Sequence, residues 1–544
     1  MRRVIESDIC IIGSGITAAM VAEKIAEERN ASIVVVEAGD RAVPLERRQS
    51  TRARFLAYGE NPWPGDHVDG HTADGIQSRS MCVGGMAMHW GGVTPRFSPE
   101  DFRLKSLYGV HEDWPLTYDQ LEPFFVEAER RMGVAGEQGP PDLDPRSAPF
   151  PLPPIPLSWN LKLLKAWVEK SGIPFWSQPS AKNSVPFGNR PACCRNDTCS
   201  PICPIGAKYS PDFTWNALTG AGSKVQLLTR TLVRRLVPAD GSDRIELATA
   251  SSPDSPDSPV ELRARTFVIA CGYLWSPHLL LLSASSRYPE GLANRSGLVG
   301  KYMTGHRSVQ VFVKVPMKLY PGINVHHSLV SKRYMRPGRL TRYLRHDLRV
   351  WESASGAEPR LRDDQGNLLL GDEMLADWRA RAASGRARMR AYYDVLPDRD
   401  SGITLHASAR NAWGDPLPDL VFRDSSISRE LRGWSEQQLR ERFESIVRAG
   451  GGEILQAASN RFQDHPVGGC RMGADPAASV CDEWGRTHDH ENLFVVGAPT
   501  CVSGSCANGT LTFAALSLRS ASQIGDAFPP AAQAGAAARQ TVTA

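Results

Sequence analysis

The stretch Asp8-Ile9-Cys10-Ile11-Ile12-Gly13-Ser14-Gly15-Ile16-Thr17-Ala18 decides how this chain begins to fold. Residues 8–12 are a short apolar run that reads as a buried strand, and Gly13-x-Gly15-x-x-Ala18 opens a helix. Small and apolar residues at Ala18, Ala19, Ala22, Ile25 and Ala26 then recur at helical spacing. Gly13 permits the tight turn, Gly15 lets backbone approach a pyrophosphate, and Ala18 allows helix and strand to pack closely. The helix start adds unpaired N–H groups and partial positive charge for the phosphates. A second strand over 32–36 ends in Glu37, at the distance where an acidic side chain accepts from a ribose hydroxyl. Strand, glycine turn, helix, strand and acid in that order predict a dinucleotide seat in an α/β fold.

A chain of 544 residues is too long for one ordinary domain, so two interleaved units are expected. The 63 basic and 59 acidic residues leave a net charge of only +4, which argues against a nucleic-acid partner. The locally basic segment 332–349 reads as solvated or subunit-facing surface. The most apolar stretch, 267–282, is short and broken by Gly272, Pro277 and His278, so no direct membrane span is expected. Met1-Arg2-Arg3 leads almost at once into the first strand, leaving no room for a secretory leader. The expectation is a chain made without its own export signal.

Further along, Met81-Cys82-Val83-Gly84-Gly85-Met86-Ala87-Met88-His89-Trp90-Gly91-Gly92 sets four glycines among bulky residues, a pattern for backbone passing close to a flat ligand. Prolines over 139–156 read as an extended surface linker, and 251–259 as a hairpin tip rich in Ser, Pro and Asp. Residues 265–271 give another buried strand, ending at Gly272. The organisation expected is a nucleotide-binding domain over 1–306 that includes the cysteine-rich loop 190–208. A substrate domain over 307–460 follows, then a return to the first domain over 461–528 and a disordered tail over 529–544. Ser435-Glu436-Gln437-Gln438 reads as a capping box that starts a helix running to Gly450.

The chain resembles the glucose–methanol–choline (GMC) oxidoreductases over nearly its full length. The resemblance rests on the amino-terminal fingerprint, Val83-Gly84-Gly85, and Ala270-Cys271-Gly272 with Pro277 and Leu279-Leu280-Leu281. It is completed by His465-Pro466-Val467-Gly468-Gly469-Cys470-Arg471-Met472-Gly473 and Cys506-Ala507-Asn508-Gly509-Thr510-Leu511-Thr512. It implies an α/β chain, α+β overall: a Rossmann-like FAD-binding domain with an interleaved substrate domain built on an antiparallel sheet. It also implies FAD on Gly13, Gly15, Thr17, Ala18, Glu37, Gly84, Gly85, His89, Val233, Gly497 and Asn508. Oxidising an alcohol requires loss of the hydroxyl proton and transfer of a hydride to the flavin. An imidazole with a pKa near neutrality suits the first task. The family motif gives that role to His465, and to Asn508 the holding of the substrate oxygen. The segment 83–97 is also similar to pyranose oxidase, in which the histidine matching His89 carries the flavin covalently; the dehydrogenase relatives hold it non-covalently. Two departures stand out. Gly91 replaces a threonine of pyranose oxidase, and Gly305-His306-Arg307 replaces the family's Asp-His-Pro.

Four of the eleven cysteines, Cys193, Cys194, Cys199 and Cys203, crowd one loop. Such spacing suits a metal or iron–sulfur cluster, with a disulfide-stapled loop as the alternative. Resemblance to the large subunits of bacterial gluconate, fructose and glucose dehydrogenase complexes implies a [3Fe–4S] cluster held by three of the four. It further implies a small chaperone-like partner subunit and a cytochrome electron acceptor. The location implied is cytoplasmic, or periplasmic by co-export with a signal-bearing partner. The activity expected is FAD-dependent oxidation of a hydroxyl of a sugar, sugar acid or glycoside. An oxygen-using oxidase is the alternative. Trp351, Tyr392, Tyr393 and Trp413 are candidates for stacking on a sugar face.

Overall fold

In the computed structural model the described residues are 3–60, 80–195, 199–256, 258–320, 327–353, 359–363, 365–423, 426–460 and 464–531. The first strand, Arg3–Ile12, is the centre of a parallel sheet. Ile33–Val36 pairs on one side of it and Val260–Ile269 on the other. Val225–Leu228 extends one edge, and Leu493–Val495 lies beyond Val260–Ile269. Parallel strands covered on both faces are apolar throughout, and Ile33–Val36 is buried at every residue. The start of Val260–Ile269 also pairs antiparallel with Ile245–Ser251, which pairs with Leu232–Pro238. The Ser/Pro/Asp-rich segment is the tip of that hairpin, with Asp257 outside the described residues.

The helix Ile16–Glu28 leaves the first strand through the glycine turn, with Ala18, Ala19 and Ala22 fully buried against the sheet. The helix Thr510–Gly525 packs on it and on Tyr118–Met132, interdigitating Ile16, Met20, Phe125, Leu511, Ala515 and Leu518. Each large aliphatic side chain buried this way contributes about 1.5–3 kcal/mol. That packing brings the two ends of the chain together beneath the nucleotide seat.

A second, antiparallel sheet runs Glu453–Ser459, Thr304–Val315, Gly385–Asp394, Leu348–Glu352, Leu329–Ser331 and Trp176–Ser177. Its strands alternate. Val309, Val311, Val313, Ala387, Met389 and Val350 form a core with the helices Trp159–Val168 and Ser426–Ala449. The alternate residues Ser308, Gln310, Arg349, Trp351, Arg390 and Tyr392 therefore take the opposite face. The short strand Asp464–Val467 joins this sheet by pairing with the start of Thr304–Val315, Asp464 opposite His306.

Three local expectations are corrected. The helix over Ser426–Ala449 begins nine residues before Ser435, which is a buried mid-helix residue. Good helix formers upstream, Arg429-Glu430-Leu431-Arg432, carry the helix through the capping signature. The proline-rich segment is no surface linker, since Leu143, Leu152 and Ile155 are buried. The basic stretch 332–349 is solvated only in part: Arg333, Arg339 and Arg342 are exposed, but both of its ends are buried. Lys332 is buried against Asp144 at 2.6 Å, and Arg345 meets Asp101 and Asp394 at 2.7 and 3.0 Å. Buried cations persist because each has a carboxylate partner, supplied here from distant parts of the chain. Residues 529–531 run along the end of the opening helix, where Asn30 N–H donates to the Pro529 carbonyl and Ala531 N–H to that of Glu28. The rest of the expected tail lies outside the described residues. Among those described, no helix is long and apolar enough to cross a membrane.

Candidate active site

Two glycine turns face each other at the carboxyl end of the parallel sheet. Gly13 has φ +98°, and a Cβ there would lie 2.7 Å from the Ala270 carbonyl oxygen, so only glycine lets these strand ends touch. Gly15 is different: a Cβ on it meets no atom within 4 Å. Gly85 stands opposite, where a Cβ would meet only the Gly15 Cα, at 3.8 Å. Gly84 N–H donates to Ser14 Oγ at 3.1 Å and fixes one turn to the other. The opening helix aims its amino end into this space. Thr17 in its first turn packs on Gly497, where a Cβ would lie 2.4 Å from Thr17 Cγ2. Val233 is buried on the strand Leu232–Pro238, whose approach is fixed by Thr231 N–H donating to the Glu37 carbonyl. The Glu37 carboxylate is itself buried, accepting from Ser14 N–H at 3.1 Å, Ser14 Oγ–H at 2.5 Å and Gly39 N–H at 2.8 Å. Burial raises its pKa against these hydrogen bonds.

His465 and Asn508 meet. His465 Nε2 lies 2.6 Å from Asn508 Nδ2, and His465 Nδ1 lies 2.8 Å from His306 Nε2. His306 Nδ1 in turn faces the Ser505 carbonyl at 3.2 Å. A carbonyl only accepts, so His306 carries its proton on Nδ1 and its Nε2 accepts from His465 Nδ1–H. The lone pair of His465 is thereby left on Nε2, where the Asn508 amide donates to it. His465 adopts φ +50° and Ser505 φ +56°. Such left-handed backbone costs about 1–3 kcal/mol for a non-glycine residue and persists only where the surroundings impose it. Burial first, then the guanidinium groups of Arg349 and Arg390, push the His465 pKa down to about 3. Burial and the neighbouring His465 hold His306 well below its usual value. Both imidazoles are neutral at physiological pH.

The Asn508 Oδ1, Ser505 Oγ and Thr512 Oγ1 atoms are buried without hydrogen-bond partners. Unpaired buried acceptors and hydroxyls are costly, about 1–3 kcal/mol each, and mark a place for a ligand.

The carboxyl-terminal segment 397–517 matches the model of the GMC oxidoreductase family. The large subunit of fructose dehydrogenase from Gluconobacter japonicus is 31% identical, over 96% of this chain and 98% of that one. The chain belongs to the GMC oxidoreductases. A second relative, the 6'''-hydroxyparomomycin C oxidase of Streptomyces lividus, is 28% identical over 95% of this chain and 91% of its own length. In three dimensions the chain resembles pyridoxine 4-oxidase from Mesorbium loti, with a TM-score of 0.61 and 18% identity, covering 95% of this chain and 98% of that one. The chain is thus a flavin-dependent GMC oxidoreductase with an FAD-binding and a substrate-side sheet. The open space over Gly15 and Gly85 and the unpartnered Asn508 Oδ1 beside His465 fit that cofactor.

Other residues of this GMC oxidoreductase fall into place around the pair. Tyr392 packs on His306 with ring centroids 4.4 Å apart and stands edge-on to His465 at 6.0 Å. Trp351 shares its sheet face, beneath Arg388 and Arg390. Tyr393 points the other way, into the aliphatic core with its hydroxyl on Glu436, and Trp413 lies in a distant turn whose carbonyl takes Arg234. Only two of the four aromatic candidates are at the site. His89 Nδ1 lies 2.7 Å from Ser80 Oγ, and burial, then Lys208, lowers its pKa to about 4. His306, Arg349 and Arg390 escaped sequence reasoning as site residues. The signal was there for His306 in the alternation His306-x-Ser308-x-Gln310 on one strand face.

The eleven cysteines are all free thiols, so the loop is not stapled by a disulfide. Cys199 and Cys203 are buried, Cys193 half-buried and Cys194 exposed. Among the described residues, no group of three or more His, Cys, Asp or Glu side chains is placed to hold a metal ion. Burial raises the Cys193 pKa, with Cys199 and Cys203 close enough to add to it and Lys182 to oppose it. Lys208, buried beside the same loop, donates to the carbonyls of Met88, Trp90 and Cys199.

Proposed function

We propose that the protein oxidises a hydroxyl of a sugar, sugar acid or glycoside to a carbonyl. The observation that carries this reading is the 2.6 Å approach of Asn508 Nδ2 to a His465 Nε2 whose lone pair is fixed by His306. The substrate hydroxyl displaces this direct contact and takes its place, donating its proton to Nε2 while its oxygen accepts from Nδ2. As the proton leaves, negative charge grows on that oxygen, and the amide stabilises it. FAD, when bound on the two glycine turns, supplies the hydride acceptor. The neutral imidazole has its lone pair available for the proton, but with a pKa of about 3 it is a weak acceptor until the charges of Arg349 and Arg390 are countered.

Three of Cys193, Cys194, Cys199 and Cys203 would be the ligands of a [3Fe–4S] cluster, and would have to close around it, since no three of the described side chains are placed about one metal position. Free thiols on a short loop beside the buried Lys182 and Lys208 support the assignment, since cations offset the negative charge of a ligated cluster. The exposed Cys194 is the poorest ligand of the four. Such a group supplies one-electron transfer, which suits a dehydrogenase with a protein acceptor. The relative named as a large subunit supports a multi-subunit assembly, here with a small subunit and a cytochrome. The relative named as an oxidase supports the second reading, direct use of oxygen.

An anaerobic panel of sugars, sugar acids and glycosides, read by loss of flavin absorbance, tests the activity. Iron analysis and peroxide release in air separate the two electron routes. Bleaching with bound iron and no peroxide is expected; a flavin that no hydroxyl compound bleaches would overturn the reading.

A further inference from the structure

We propose that Arg390 and Arg349 bind an anionic group of the substrate, a carboxylate or phosphate carried by the sugar. The inference rests on the carbohydrate-oxidising role proposed above and narrows its substrate class. Strand pairing sets Arg349 directly opposite Arg390, on the sheet face turned away from the aliphatic core. Arg349 is only 2% exposed, and its Nε donates to Asp347 Oδ2 at 2.6 Å. Its Nη2 is buried with no partner. Arg390 spends Nη1 on the Tyr392 hydroxyl at 2.7 Å and Nη2 on Gln310 Oε1 at 2.8 Å, both neutral groups. Its Nε is also buried and unpartnered. Unpaired donors on a buried cation are more costly than on a neutral amide, so their persistence on two adjacent guanidinium groups points to an acceptor that arrives with the substrate.

The position is right for such a group. Both guanidiniums lie over the Tyr392 ring, 4.7 and 5.3 Å from its centroid, and that ring contacts His306 and His465. The anion would therefore dock one side chain away from the base. The neighbouring acids do not fill the role. Asp347 is already spent on Arg349 and on Tyr392 N–H. Asp464 is hydrogen-bonded to Asn460; burial raises its pKa while Arg390 and Arg349 oppose the shift, so it offsets part of their charge but leaves Arg390 Nε and Arg349 Nη2 unpartnered. An anion here has a second effect. The two guanidiniums help to hold His465 in its neutral form, and countering their charge makes the imidazole a better proton acceptor.

The FAD-loaded protein tests this with gluconate against sorbitol, and glucose 6-phosphate against glucose, in anaerobic flavin bleaching. Glutarate, which has no hydroxyl to oxidise, serves as a binding probe read by the flavin spectrum. An anionic sugar is expected to exceed its neutral counterpart in kcat/KM by about tenfold or more. Gluconate leading identifies the group as a carboxylate, glucose 6-phosphate as a phosphate. Arg390→Gln should raise KM for the anionic sugar by about tenfold to a hundredfold relative to the neutral one, with FAD content retained. Should that variant fail to fold, Arg390→Lys, which keeps the charge and most of the stem, should lose part of the discrimination. Equal use of charged and neutral sugars, with no glutarate binding, overturns the anion site and leaves alcohol oxidation standing. Glutarate binding that Arg390→Gln abolishes, with no bleaching by any sugar, upholds the anion site and overturns the oxidation.

Discussion

His306 Nε2 lies 2.8 Å from His465 Nδ1, so one neutral imidazole grips another by its back edge and sets which nitrogen faces the substrate. The Ser505 carbonyl fixes the tautomer of the first ring, and the first fixes the second. His306 is a positioning residue. Replacing it with Phe removes the acceptor for His465 Nδ1–H and frees the ring to flip. We expect His306→Phe to lower the rate of flavin reduction by about tenfold to a hundredfold, less than loss of the base itself. His306→Gln, whose carbonyl can take the same proton, should recover much of that loss. Rapid-mixing measurements of flavin bleaching, with FAD content checked for each variant, decide the matter. Equal losses in both variants would argue for a purely packing role.

The two glycines of the fingerprint predict opposite phenotypes. Gly13→Ala forces a Cβ to within 2.7 Å of a carbonyl at φ +98°, and should destabilise the fold by about 2 kcal/mol or more. Gly15→Val adds a Cβ where no atom lies within 4 Å. The apoprotein should keep its melting temperature, while FAD no longer binds. Flavin absorbance and thermal unfolding of each variant separate these outcomes.

On the cysteine loop, Cys199→Ser should remove both the iron and a brown absorbance while substrate still bleaches the flavin. Cys194→Ser, altering an exposed thiol, should keep more of the iron. Retention of full iron content in Cys199→Ser would discard Cys199 as a ligand.

Stability should fall on mild acidification. Burial holds His278 and His89 at about 4, His327, His346 and His465 at about 3, and His306 well below its usual value. Above about pH 6.5 neither folded nor unfolded chain protonates these rings. Below it the unfolded chain takes up protons that the folded one refuses, so stability drops by up to about 1.4 kcal/mol per pH unit for each ring. Asp394, raised to about 6 by burial, acts in the opposite sense and offsets about one of them. Urea midpoints between pH 7 and pH 5 should therefore decline. His278→Gln, at a residue that bonds only the Pro416 carbonyl, should flatten the slope by roughly one proton. A slope unchanged in that variant would contradict the assignment.

The parallel sheet was legible because its strands and first helix announce themselves locally. Ile33–Val36 is wholly apolar, and Ala18, Ala19 and Ala22 mark a close-packed helix face. His465 and Asn508 could be picked out by motif, and they do meet in space. What stayed hidden depends on pairing between distant strands. Arg349 and Arg390 look like surface charge in the sequence, and only the register between their strands places them side by side next to Tyr392. Lys332 and Arg345 misled for the same reason, since their partners Asp144 and Asp101 lie more than a hundred residues away. In the sequence His306 stands out only as a departure from a family pattern; its place beside His465 comes from the strand Asp464–Val467 folding back beside it.

In the proposed reaction the His465 imidazole takes the hydroxyl proton, and the rate of anaerobic flavin reduction in His465→Ala at saturating substrate tests this. The variant should bind FAD normally and reduce it more slowly by about two orders of magnitude or more. Flavin bleaching at the unaltered rate in that variant would contradict it.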